Sequence, residues 1–191
     1  MARKVQRVPY ELDDRGIKTL PAEEIAVILR GADDLIMRGG RALLSKVLKG
    51  SQAQEVLKWE LDKSPVYGYY QKLTLGDILA RIDWVILEGY LRIQYDYRWP
   101  LLAYTPAGWA IERETFATEL LAGFDELLAN SPPPYAMEYL KDRDRGMILL
   151  LLDKVEQSGD PKYVPLLNDW AQVDYRKVRE RIGEVVRSLQ R

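Results

Sequence analysis

Between Leu35 and Lys72 the chain carries seven cations, Arg38, Arg41, Lys46, Lys49, Lys58, Lys63 and Lys72, against three carboxylates, Glu55, Glu60 and Asp62. The whole chain has 28 basic and 29 acidic residues and a net charge of −1. A local excess of four positive charges in a balanced protein suits a polyanion such as a nucleic-acid backbone; a globally basic binder is excluded. A predicted helix N-terminus at Ser51-Gln52 would add backbone N–H groups and a hydroxyl for a phosphate, with Lys49 just before it. The plainer alternative is that Ser51 only caps a helix and the lysines are a solvated face.

Two segments concentrate aromatic side chains outside any regular pattern, Tyr67-Gly68-Tyr69-Tyr70 and Asp96-Tyr97-Arg98-Trp99-Pro100. A ring there could stack on a base, an interaction worth about 1–3 kcal/mol in single-strand binders. Trp59, Trp84 and Trp109 lie on or beside apolar stripes and are expected in the core. Enzyme chemistry finds little to work with. The chain has no Cys and no His, so thiolate and imidazole nucleophiles and structural zinc ligands are missing. The carboxylate pairs Asp13-Asp14, Glu23-Glu24 and Asp33-Asp34 are adjacent, and adjacent helical side chains diverge. The alternation Asp142-Arg143-Asp144-Arg145 reads as a charged turn. The expectation is a non-enzymatic protein with no cofactor and no metal.

These groups must be positioned by a mainly α chain. Residues 1–19 read as an arm that is ordered in part at best. Pro21 opens a helix with Glu23 and Glu24 in its first turn, and Gly39-Gly40 stops it. Arg41–Leu48 is a short helix burying Leu43, Leu44, Val47 and Leu48, broken at Gly50. From Ser51 a further helix turns Val56, Leu57 and Leu61 inward and ends at Ser64-Pro65. Thr74 with Asp77 opens a helix carrying Ile78, Leu79, Ile82, Val85 and Ile86. Arg92–Tyr95 and Leu101–Tyr104 are strands of a hairpin with residues 96–100 at its tip. Thr105-Pro106 caps the next helix. Helices followed by a hairpin is the plan of a winged helix-turn-helix. Beyond the linker Asn130–Pro134, residues 135–140, 145–157, 163–171 and 175–189 read as helices, either one HEAT-type repeat by their spacing or a helical cap packed on the winged helix. The division is an arm 1–19, a winged-helix domain 20–130 and a helical unit 131–191. The N-terminus has no apolar stretch of a secretory signal, and no apolar run reaches membrane-spanning length, so a cytoplasmic protein is expected.

The sequence Gly40-Arg41, Leu44, Val47, Lys49-Gly50-Ser51, Tyr67-Gly68, Gly89-Tyr90-Leu91, Tyr104-Thr105, Gly108 resembles the RecQ C-terminal, or RQC, winged-helix domain over residues 39–113. It is more closely similar to the small bacterial proteins that carry this domain without a helicase. The resemblance implies binding to DNA through backbone contacts at duplex ends, forks or branches, with a wing tip that separates base pairs in some members. It places phosphate contacts at Lys49, Ser51 and Gln71 or Lys72. The phosphate loop and the four zinc-binding Cys of RecQ helicases have no counterpart here, so neither ATP hydrolysis nor zinc is implied.

The expected DNA-contacting set is Arg38, Arg41, Lys49, Ser51, Gln52, Lys58, Tyr67, Tyr69, Gln71 and Lys72, with Tyr97, Arg98 and Trp99 at the wing tip. The partner is DNA, with a protein partner through residues 131–191 as a further expectation, in the setting of the nucleoid and DNA repair or replication. Two other readings stay open: a transcription regulator reading a specific site, and a protein–protein adaptor that binds no DNA.

Overall fold

The computed structural model describes residues 6–191. The chain divides into two compact units, Met1–Glu112 and Arg113–Arg191. The first unit contains α1 (Ala22–Ala32), α2 (Arg41–Lys49), α3 (Gln54–Lys58), α4 (Leu75–Leu87), the hairpin β1 (Leu91–Asp96) and β2 (Trp99–Tyr104), and the opening of α5 (Pro106–Asn130). It is mainly helical with one small antiparallel hairpin, a winged helix.

Helices α1, α2 and α4 form the core of this unit, with Leu29, Leu44, Leu48, Ile78 and Ile82 fully buried among them. Each such side chain contributes about 1.5–3 kcal/mol on burial. Helix α4 starts as its sequence indicates: Thr74 Oγ1 accepts from the Asp77 N–H at 3.2 Å. The wing pairs Leu91 with Tyr104 through to Asp96 with Trp99, leaving a two-residue tip, Tyr97-Arg98. Such tips favour Gly, Asn or Asp in the left-handed region; here Tyr97 takes it, at φ 52°. After the wing, Thr105 Oγ1 donates to the Gly89 carbonyl and accepts from the Gly108 N–H. Gly108 is fixed by packing, because a Cβ there would fall 2.0 Å from the Tyr90 carbonyl oxygen.

In the first unit three expectations change. The arm is tied down over its described part: the Val8 N–H donates to the Arg98 carbonyl at 2.9 Å, and Tyr95 Oη donates to the Val8 carbonyl at 2.6 Å. Further along, the Asp13 N–H donates to Asp83 and Arg15 pairs with Asp77. Residues 1–5 of the expected arm lie outside the described residues. Second, the helix expected from Ser51 begins only at Gln54 and closes at Lys58. Glu60 then turns left-handed before a 3-10 turn, Leu61–Lys63. With so short a helix only Val56 and Leu61 reach the core, and Leu57 is exposed. Third, Pro21 is the residue before α1 rather than its first.

The second unit holds the rest of α5, a 3-10 turn at Glu138–Leu140, α6 (Arg145–Ser158), a 3-10 turn at Pro161–Tyr163, α7 (Val164–Val173) and α8 (Arg176–Leu189). Both α6 and α7 pack on α8. Phe124 and Trp170 meet edge to face at 5.9 Å in a core with Leu151, Leu152, Leu166 and Val185. Of the helix expected over 135–140 only the 3-10 turn forms; the Tyr135 N–H instead donates to Asp169. Within the charged turn, Asp144 caps α6 by accepting from the Met147 N–H. The division between units falls inside α5, ahead of the Pro-rich linker that reads as the boundary in sequence. The reason is that Phe116, Ala117 and Phe124, on α5, belong to the second core.

Candidate nucleic-acid interface

Helix α2 ends at Gly50, φ 77°, and the aromatic loop crosses that end at Gly68, φ 75°. The Gly68 N–H donates to the Val47 carbonyl at 3.0 Å and the Tyr70 N–H to the Leu48 carbonyl at 2.8 Å. The second uses a carbonyl that a helix C-terminus leaves unpaired, and the acceptor of the first is shared with the Gly50 N–H, which also donates to the Val47 carbonyl at 3.0 Å. They also bring two stretches about 20 residues apart in sequence against each other.

Six of the expected contact residues meet there. Lys49 Nζ donates to the Gln71 carbonyl at 2.6 Å and to the Leu73 carbonyl at 2.7 Å. Gln52 Nε2 donates to Tyr67 Oη at 2.8 Å, which donates to the Ser51 carbonyl at 3.1 Å. Ser51 Oγ accepts from the Ala53 N–H at 3.2 Å, closing a turn ahead of α3 instead of capping it. Gln71 and Lys72 are exposed beside them. Lys49, Ser51, Gln52, Tyr67, Gln71 and Lys72 therefore form one polar surface. Lys49 acts mainly as its brace: an ammonium has three donors and two are committed to carbonyls.

Other expected residues are placed elsewhere. Arg41 turns inward to Asp83, which is 2% exposed and also holds the arm through the Asp13 N–H. A buried carboxylate must be paired, and that fixes Arg41 as a structural cation. Tyr69 is exposed, but its Oη donates to Glu23 at 3.1 Å. The adjacent Tyr70 is buried and donates to Glu24 at 2.6 Å. Burial, and then the Glu24 carboxylate, push the Tyr70 phenol well above its ordinary pKa, so it remains a donor. Lys58 and Lys72 are exposed and enter no ion pair among the described residues.

At the wing, Tyr97 is 71% exposed and Trp99 52%. The Arg98 guanidinium lies over the Trp99 ring, 4.6 Å from its centroid. Trp84 is buried and Trp109 partly so, as expected of core residues. Trp59 is not in the core: it is 37% exposed, with the Arg38 guanidinium 5.3 Å from its ring centroid. The flanking charges Lys58 and Glu60 were the available sequence signal for a surface position. Met37, which joins Trp59 and Trp99 around one groove, carried none.

A helical core followed by a two-stranded antiparallel hairpin is the architecture of a winged helix. The model of one family, the RQC domain, matches residues 21–120, just over half of the chain, and the protein belongs to that family. The RQC domain is the DNA-binding winged-helix domain of RecQ helicases. No curated protein and no solved structure matches the chain. Among the described residues no helix is long and apolar enough to cross a membrane, and no acidic cluster is arranged to hold a metal ion.

Proposed function

We propose that this protein is a non-enzymatic DNA-binding protein that grips the phosphate backbone and prefers duplex ends, forks or branches to a particular sequence. The observation that carries the reading is the wing tip, where an exposed Tyr97 occupies a left-handed turn position that ordinarily goes to a small residue. Large apolar area in a projecting turn is unfavourable unless something covers it. The exposed base-pair face of a duplex end suits it; an internal duplex offers no such face. The surface around Ser51, Gln52, Tyr67, Gln71 and Lys72 would hold the adjoining backbone, positioning without reading sequence.

The protein would act in the cytoplasm, on the nucleoid, in DNA repair or replication, as a helicase-less member of its family. The second unit, a HEAT-like helical module, would dock a protein partner. The test is binding to blunt duplex, fork, hairpin and single strand at two salt concentrations. Structure preference with a steep salt dependence is expected. A sharp sequence preference would favour a transcription regulator, and no salt-dependent binding an adaptor.

A further inference from the structure

Trp59 and Trp99 line the same groove, of about 750 Å³, with Met37, Arg38, Leu43 and Pro100. The two rings come from unrelated parts of the chain, one from the end of α3 and the other from the base of the wing tip. Each has an arginine on its face, Arg38 and Arg98 respectively. The side of the groove is rigid: the Met37 N–H donates to the Leu102 carbonyl at 2.8 Å, and the Leu102 N–H donates to the Gly39 carbonyl at 2.9 Å. These bonds clamp residues 37–39 onto β2, and Met37 is held there at φ 56°. A left-handed non-glycine residue costs strain, which the bonds around Met37 sustain.

We propose that this groove takes unpaired nucleotides of a single DNA strand, with bases against Trp59 and Trp99 and phosphates against the arginines. Aromatic platforms interleaved with cations are the means by which single strands are held without sequence preference. Charge agrees: Arg38 and Lys46 line the groove with Glu55 and Asp96, and the chain neighbours of its two tryptophans add the cations Lys58 and Arg98 and the carboxylate Glu60, four cations against three carboxylates. One cation, Lys46, is paired with Glu55. The groove starts at the wing, so a strand parted from its complement at Tyr97 would have a path beside Trp99. The inference rests on the reading of the first unit as a DNA binder, and extends it to a second kind of strand at a second surface.

The experiment titrates the full chain with a short oligothymidylate and, separately, with a short blunt duplex, following tryptophan fluorescence and anisotropy. Oligothymidylate should quench the exposed tryptophans. Trp59→Ala should weaken its binding about tenfold, the size of one lost stacking contact. Trp59→Phe, which keeps a ring, should retain most of the affinity, and blunt-duplex binding should be unchanged in both. If oligothymidylate fails to bind, or binds Trp59→Ala like the wild type, while the duplex still binds, the groove proposal fails and the DNA reading stands. The groove would then be left to a protein partner. If neither the oligothymidylate nor the blunt duplex binds, both readings fall.

Discussion

Gly50 and Gly68 stand backbone to backbone, so close that a Cβ on Gly50 would come 3.1 Å from Gly68 Cα. Both are left-handed, which L side chains adopt at a cost of roughly 1–2 kcal/mol. This approach seats the aromatic loop on the end of α2 and so assembles the polar surface from Lys49 to Lys72.

Gly50→Ala should therefore lower unfolding free energy by about 1–2 kcal/mol in urea titration and weaken DNA binding. Gly123→Ala on the exposed face of α5, where a Cβ meets nothing within 4 Å, is the control. It should be neutral or stabilising by about 0.5–1 kcal/mol, since glycine is costly inside a helix.

Salt dependence should locate the backbone contacts. Each phosphate neutralised contributes about −0.9 to the slope of log affinity against log salt. Lys58→Ala with Lys72→Ala should flatten the slope measured by anisotropy while leaving the fold intact, because neither lysine supports another group. Lys49→Ala should instead lose stability, since the Gln71 and Leu73 carbonyls lose their donor. An unchanged slope in the folded double variant would place the backbone contacts elsewhere.

The buried pair Arg41–Asp83 should be far more sensitive than the exposed pair Arg15–Asp77. Asp83→Ala leaves the guanidinium without its partner and frees the arm at Asp13; about 3 kcal/mol is expected, the lower end of what breaking a buried pair costs, because Arg41 is partly solvated. Arg15→Ala should cost less than about 1 kcal/mol. Urea denaturation compares the two, and faster proteolysis of the arm in Asp83→Ala would report its release.

End recognition should reside in Tyr97. Tyr97→Ala should weaken binding to blunt ends and forks several-fold while sparing long duplex, and closed circular DNA should compete poorly with a short blunt duplex at equal phosphate concentration. A circle that competes equally well would reduce the wing to a backbone clamp.

The sequence by itself determined the helix order, the hairpin, the caps at Thr74 and Thr105 and the glycine breaks, because each depends on neighbours within a few residues. It also located the cationic stretch and the unusual wing tip. The family pattern was legible for the same reason, although what makes Gly108 necessary, the Tyr90 carbonyl against it, is a tertiary contact. Tertiary structure alone decided which cations face outward. Arg41 and Lys72 are equivalent as letters, yet a buried Asp83 claims the first and nothing among the described residues claims the second. It likewise moved Trp59 from the expected core to the surface, since α3 is too short to bury both faces, and set it beside Trp99. Charge pairing and burial are settled by residues far apart in the chain, and no local spacing encodes them.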